Sequence, residues 1–197
     1  FGITGKNFQY DANGNMTTDG ARTIAYDYDN MPQSINGTAV SFVYDGNGNR
    51  VKKVTPTGTI TYIDKLYECT SGNPCGKYIF AGDTRVVLKN FRGTYYYHTD
   101  HQGSTMAVTD EFGEPVDAVN YQPFGETSES PAPPFTGFNH KYTGQELDAE
   151  SGLYNYNARL YSPETGRFIT ADSIIPDPEN PQSLNRYSYV LNNPVND

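Results

Sequence analysis

The chain has 197 residues, including 19 glycines and 13 prolines, and a formal net charge of −9. We predict no nucleic-acid partner, because nucleic-acid-binding proteins use lysine and arginine to neutralise phosphates. We also predict no membrane span, since no stretch approaches the roughly 20 apolar residues that a spanning helix requires. Aromatic residues make up 14% and include 17 tyrosines. This composition, rich in turns and tyrosines, predicts an all-β protein rather than a disordered one.

A Tyr-Asp pair followed by a glycine or asparagine turn recurs in the first half of the chain. Clear copies begin at Tyr10 and Tyr44, and a looser copy begins at Tyr26. Internal repetition of this kind is typical of arrays in which each unit buries its apolar face only against its neighbours. The Asn47-Gly48 pair is predicted to supply the positive φ angles that a two-residue hairpin turn requires. We therefore predict a repetitive antiparallel β-hairpin sheet.

The spacing of the tyrosines supports a strand period. The steps between successive members of the series are 16, 18, 18, 16 and 18 residues, all of them even. Strand side chains alternate between faces with period 2, so an even step predicts that the tyrosines share one face of the sheet. The series consists of Tyr10, Tyr26, Tyr44, Tyr62, Tyr78 and Tyr96.

A short helix is predicted near the C-terminus. Leu184, Tyr187 and Leu191 follow a helical 3-4 spacing, Ser183 is a candidate N-cap, and Pro194 would end the helix. The fold expected is thus all-β with one short helix.

Two cysteines, Cys69 and Cys75, enclose a turn-forming pentapeptide. This spacing predicts a disulfide at a hairpin tip, and such bonds persist mainly in oxidising compartments. Two free thiols in a loop are the alternative. Zinc is not predicted, because two cysteines provide half of a four-ligand set and no histidine lies nearby in sequence.

The second half of the chain carries a series of longer motifs. They are Tyr97-His98-Thr99-Asp100-His101-Gln102-Gly103-Ser104, Tyr121-Gln122-Pro123-Phe124-Gly125-Glu126, Tyr142-Thr143-Gly144-Gln145-Glu146-Leu147-Asp148, Gly152-Leu153-Tyr154-Asn155-Tyr156-Asn157-Ala158-Arg159-Leu160-Tyr161, Gly166-Arg167-Phe168-Ile169-Thr170-Ala171-Asp172 and Leu184-Asn185-Arg186-Tyr187-Ser188-Tyr189-Val190-Leu191-Asn192-Asn193-Pro194. With these motifs and the Tyr-Asp repeats, essentially the whole chain resembles the C-terminal part of an Rhs or YD-repeat protein. The resemblance divides it into YD/Rhs β-repeats at 1–96 and an Rhs repeat-associated core at 97–197.

The resemblance implies a structural role outside a bacterial cell. In this family the repeats wind as a β-sheet into a hollow shell or spiral that encloses a toxic C-terminal domain, and the core spirals inward to close one end. The partners implied are the chain's own C-terminal effector domain, neighbouring repeats, and secretion-apparatus or toxin-complex subunits. The alternative is an extracellular fibre or adhesin that self-associates through open strand edges and carries no toxin. No cofactor and no metal are implied.

The resemblance also implies self-cleavage by aspartates, with no external substrate. The residues assigned to the family's motif are Arg159, Asp172 and Asp197. The family's second aspartate lies in an Asp-Pro-x-Gly motif, of which only Asp197 is present in this sequence, and Asp177-Pro178 is followed by Glu179-Asn180 and does not match. Two carboxyl groups that share a proton can act as acid and base, and a nearby arginine can orient one of them. The alternative for Arg159 and Asp172 is a structural ion pair. We predict Asp148 and Glu150 to be solvated turn residues, and His98 and His101 to be structural rather than metal ligands.

Overall fold

The computed structural model describes residues 6–37, 39–128, 138–175 and 177–195, and these form an all-β protein built from antiparallel strands. The predicted fold class is therefore confirmed. In chain order the strands are β1 (Gln9–Tyr10), β2 (Met16–Thr18), β3 (Ile24–Tyr26), β4 (Pro32–Ile35), β5 (Val40–Tyr44), β6 (Arg50–Thr55), β7 (Gly58–Ile63), β8 (Tyr67–Thr70), β9 (Gly76–Ala81), β10 (Thr84–Asn90), β11 (Gly93–Thr99), β12 (Thr105–Thr109), β13 (Pro115–Ala118), β14 (Asn120–Tyr121), β15 (Thr127–Ser128), β16 (Glu146–Asp148), β17 (Leu153–Asn155), β18 (Leu160–Ser162) and β19 (Arg167–Phe168).

Eleven strands, β3 to β13, form one long meander that we call the wall sheet. Each strand pairs with its neighbour in sequence, so short hairpin turns are enough to connect them. Four later strands, β16 to β19, form a smaller meander that we call the core sheet. The remaining strands pair as β1 with β2 and β14 with β15.

The Tyr-Asp repeats fold into a recurring turn in which the aspartate side chain bonds the backbone ahead of it. In the turn after Tyr44, the Oδ1 atom of Asp45 accepts hydrogen bonds from the amides of Asn47 and Asn49, at 2.9 and 2.8 Å. Gly48 then adopts a φ of +80°, which glycine tolerates without strain, but Asn47 does not have a positive φ. The predicted two-residue turn is therefore wrong: the hairpin closes through a longer turn, in which the amide of Gly48 donates to the carbonyl of Asp45. The same pair of bonds forms at Asp11, Asp27, Asp45, Asp100 and Asp110. The turn therefore also forms at aspartates that do not follow a tyrosine, namely Asp100 and Asp110.

The prediction that the evenly spaced tyrosines share one face of the sheet holds for four of them and fails for Tyr96. Tyr26, Tyr44, Tyr62 and Tyr78 all lie on the face of the wall sheet that packs on the rest of the chain. Tyr96, in contrast, is 42% exposed on the opposite face. A β-bulge in β10 shifts the register between Arg85 and Val87. Because of this extra residue, the even-numbered positions of β11 that would have pointed towards the core, including Tyr96, point to the opposite face of the sheet.

The core sheet is buried on both faces, which explains its apolar and aromatic alternation. Leu153 and Leu160 pack against wall-sheet residues that include Ile35 and Phe42. Their neighbours Tyr154 and Tyr161 point the other way and are fully buried in an aromatic cluster. That cluster also contains Tyr142, Phe168 and Tyr189.

The predicted C-terminal helix is replaced by two short 3-10 turns, Pro181–Leu184 and Val190–Asn192. The first is capped by Asn180, whose side chain accepts the amide of Gln182, rather than by Ser183. Between the turns the backbone amide of Phe168 donates to the carbonyl of Tyr187. The 3-4 spacing failed because the intervening residues pair with the core sheet and bury Tyr189 instead of forming a helical face.

Candidate functional site

A buried cluster of charges joins the wall sheet to the core sheet. The Asp148 carboxylate on β16 accepts a hydrogen bond from each terminal nitrogen of Arg50 on β6, at 2.8 and 2.9 Å, in a bidentate pair. Lys53, also on β6, lies 2.9 Å from Asp148 and 3.0 Å from Glu146. All four residues are buried. Two positive and two negative side chains thus compensate each other at this contact.

The charges are held in place by their mutual attraction. Burial alone would lower the pKa of Lys53, but the carboxylates of Asp148 and Glu146 outweigh that effect and hold the pKa above its usual value. The pKa of Arg50 rises by the same balance. The Arg50 guanidinium also lies 4.2 Å from the centre of the Phe42 ring, a cation–π contact. Both cations therefore remain charged at any physiological pH.

A second group of polar side chains lies beside this cluster, on β7, β8, β9 and the segment before the core sheet. The Tyr62 hydroxyl donates to Glu146 and the Tyr78 hydroxyl donates to Glu68, both at 2.8 Å. Burial, reinforced by the charge of Glu146, raises the pKa of Glu68 to about 7. Burial lowers the pKa of His140 well below its usual value, and its Nε2 atom lies 3.6 Å from Glu68.

These residues line a cavity of about 1010 Å³ between the wall sheet and the residues around the core sheet. Its lining is mainly polar. Among the described residues, the lining side chains of Arg50, Arg85, His140 and Asn155 each have a buried polar atom without a hydrogen-bond partner. Within the described ranges, no group of three or more His, Cys, Asp or Glu side chains is arranged to hold a metal ion.

Arg159 and Asp172 meet at the edge of the core sheet. The guanidinium of Arg159 lies 2.8 Å from the Asp172 carboxylate and 3.7 Å from the centre of the Phe168 ring. Asp172 also accepts the amide of Ile174, and its backbone amide donates to the carbonyl of Arg186. Burial lowers the pKa of Arg159 and the attraction of Asp172 opposes this. The structure therefore brings together two of the three predicted residues; Asp197 lies outside the described residues.

The disulfide loop, His98 and His101 lie at the surface of the wall sheet. A disulfide joins Cys69 to Cys75. His98 contacts the Thr109 hydroxyl at 3.0 Å, and His101 is exposed in its turn.

The prediction that Asp148 is a solvated turn residue is wrong, because Asp148 is completely buried in the charge cluster. Glu150 is exposed, as predicted. A signal for the cluster was present in the sequence. Glu146 and Asp148 are separated by one residue, which places both carboxylates on the same face of a strand. Their partners lie more than 90 positions away, and the local sequence gives no indication of them.

The fold and these contacts define a class of protein: a β-repeat wall whose covered face packs against, and forms ion pairs with, an inner core sheet. A family model, described as Teneurin YD-shell, matches residues 78–195. The chain belongs to this family of YD-repeat and Rhs shell proteins. No helix in the described part of the chain is long and apolar enough to cross a membrane.

Several known proteins are similar to the chain over most of its length. It is 31% identical to the tRNA nuclease WapA of Bacillus subtilis strain 168 over 98% of the chain, and 27% identical to Teneurin-1 of Gallus gallus over 95%. The chain spans only 9% and 7% of those proteins. A solved Photorhabdus luminescens Tc holotoxin pore carrying TccC3-D651A has the same fold, with a TM-score of 0.76 and 24% identity over 94% of this chain and 10% of that one.

Proposed function

We propose that this chain is a wall and core segment of a shell that encloses an effector domain lying further along the same polypeptide. The observation that carries the proposal is the buried charge cluster. Arg50 and Lys53 on the wall meet Glu146 and Asp148 on the core sheet with their charges compensated. An uncompensated charge in that position would be costly, so the cluster specifies how the core sits on the wall.

The two sequence regions have different tasks in this proposal. Residues 1–96 supply most of the repeat hairpins, and residues 97–197 extend the wall and then turn inward as the core. At one end of the wall sheet, an antiparallel bridge between Thr18 and Thr23 places β2 beside β3. At the other end, β13 has β12 as its only paired strand among the described residues. Further repeats of a longer protein would pair there. The relatives' lengths favour this, since the chain spans about a tenth of each of several of them.

The proposed location is outside the cell that makes the protein, with toxin-complex or secretion subunits as candidate partners. The disulfide between Cys69 and Cys75 supports an oxidising compartment. The likeness to toxin-complex structures supports the choice of partners. A bacterial source is part of the same proposal.

Imaging of the longer protein tests the shell. We expect electron microscopy of the protein, expressed with the sequence that follows Asp197, to reveal discrete hollow particles. A protease should cut the downstream segment only after the particles are opened with denaturant. Long filaments would support the fibre or adhesin instead, and immediate digestion of the downstream segment would contradict enclosure.

Self-cleavage is a second candidate function, favoured by the 2.8 Å pairing of Arg159 with Asp172. We propose that Asp172 and Asp197 act as the acid and base, with Arg159 orienting Asp172. The mass of the same longer protein should then correspond to two fragments, and Asp172→Asn should leave it intact. Asp177→Asn is the matched control, because Asp177 is exposed and lies in the same segment. An uncut wild type, or cleavage of the Asp172 variant at the wild-type rate, would refute it.

A further inference from the structure

The outer face of the wall sheet, opposite the core, carries a row of basic and aromatic side chains. Lys77 on β9 and Lys89 on β10 are cross-strand partners in the register of the sheet. Tyr67 on β8 is the partner of Lys77 on the other side, and Lys77 lies 5.9 Å from the centre of its ring. These three residues, exposed on three successive strands, form what we call the basic row.

The basic row is unusual because like charges face each other directly. Opposed like charges on adjacent strands destabilise a sheet. Within the described ranges, neither Lys77 nor Lys89 forms an ion pair with a carboxylate, although the chain as a whole has a net charge of −9. The acidic side chain of β8, Glu68, points to the opposite face, towards the core. The positive charge of the row therefore faces solvent uncompensated.

An apolar row runs beside the basic row on the same face. Ile79, Val87 and Tyr96 are successive cross-strand partners on β9, β10 and β11. Ile79 is 43% exposed and Tyr96 is 42% exposed. Because side chains two positions apart on a strand share a face, this row lies directly alongside the lysines.

We propose that these two rows form a docking surface for an acidic amphipathic segment of a partner protein. Its apolar side chains would cover Ile79, Val87 and Tyr96, and its carboxylates would reach Lys77 and Lys89. Charge complementarity selects an acidic partner, and the adjacent apolar row selects one with its own apolar stripe rather than a simple polyanion. A membrane is a poorer match, since the surface offers only two lysines and its apolar side chains Ile79 and Tyr96 are each less than half exposed.

A designed acidic peptide serves as the probe of this surface. It is a fluorescent 18-residue helix with leucines along one side and glutamates flanking them, and its binding to the 197-residue chain is followed by anisotropy. We expect binding at low salt that weakens about tenfold in 0.5 M NaCl, because exposed charge pairs are screened. A peptide of the same composition with the leucines scrambled should bind several-fold more weakly.

Variants locate the binding. Lys77→Glu combined with Lys89→Glu should weaken binding about tenfold or more, since two attractions become repulsions. Lys65→Glu is the matched control, an exposed lysine at the turn between β7 and β8, and should bind as the wild type does. Circular dichroism checks that both variants are folded.

Four outcomes would overturn the proposal. They are equal binding of the scrambled peptide, unchanged binding by the double variant, equal affinity for vesicles containing phosphatidylglycerol, and self-association of the chain that the double variant abolishes. The third would identify a membrane as the occupant, and the fourth a second copy of the chain. Docking at this surface does not require that the shell encloses an effector, so a negative result here would not count against the proposed shell.

Discussion

Replacing Asp148 by asparagine should strongly destabilise the protein, because it removes one of two carboxylates that compensate Arg50 and Lys53. Asp148 accepts three charge-assisted hydrogen bonds, of 2.8, 2.9 and 2.9 Å, and is completely buried. Breaking a buried pair by removing one partner costs about 3–5 kcal/mol, since the remaining charge is left without compensation. We expect the free energy of unfolding of Asp148→Asn to fall by about that amount.

Urea unfolding followed by circular dichroism and tyrosine fluorescence measures the effect, and coincidence of the two signals checks that unfolding is two-state. The matched control is Asp83→Asn, which alters a fully exposed aspartate 3.8 Å from Lys65 and should leave the unfolding midpoint unchanged. A loss below about 1 kcal/mol for Asp148→Asn would refute the reasoning, since that is the range of an exposed pair.

A double-mutant cycle separates this pair from general damage to the interface. Removing Arg50 and Asp148 together, as Arg50→Met with Asp148→Leu, leaves Lys53 balanced by Glu146. The combined loss should therefore be smaller than the sum of the single losses by about 2 kcal/mol or more. Additive losses would mean that the two side chains do not compensate each other.

Three further predictions concern a partly buried acid, a turn and a glycine. The pKa of Glu68 is raised to about 7 from an ordinary 4.5, so its contribution to stability is fully present below pH 4.5 and is lost as the pH rises through 7. Glu68→Gln should flatten the pH dependence of urea unfolding in that window; an unchanged slope would contradict the burial argument. Asp100→Ala should cost about 1–2 kcal/mol in the same assay, since two backbone hydrogen bonds are lost. Asp100→Asn, which keeps the acceptor, should cost clearly less, and equal losses would rule out the turn bond. Gly125 has a φ of +84° and an added methyl group would overlap the Tyr142 ring, so Gly125→Ala should lower the thermal midpoint much more than Gly113→Ala, at φ +86° with open space around it. Equal shifts of the thermal midpoint in the two variants would show that backbone strain, and not the overlap with Tyr142, causes the loss of stability.

Local sequence was sufficient for much of the wall. The Asn47-Gly48 pair and the alternation around it predicted a hairpin between β5 and β6, and the structure pairs Val43 with Lys52 there, although through a longer turn than predicted. Such turns are specified by a few adjacent residues, namely an aspartate acceptor and a residue that tolerates positive φ. The C-terminal helix was mispredicted because a 3-4 spacing of apolar residues also arises where isolated side chains pack separately onto another element.

The recurring turns, the antiparallel meander and the family could be read from the order of residues, because each depends on residues within a few positions of one another or on motifs in a fixed order. Three features emerge only in the folded chain: which face of the wall sheet is covered, the bulge at Val86 that changes which residues point to that face, and the burial of Asp148 against Arg50, 98 positions away. The alternation of side chains along a strand defines two faces but does not indicate which of them is buried. The choice between them is made by the free energy of burying particular side chains against a distant partner, and no local pattern encodes that partner.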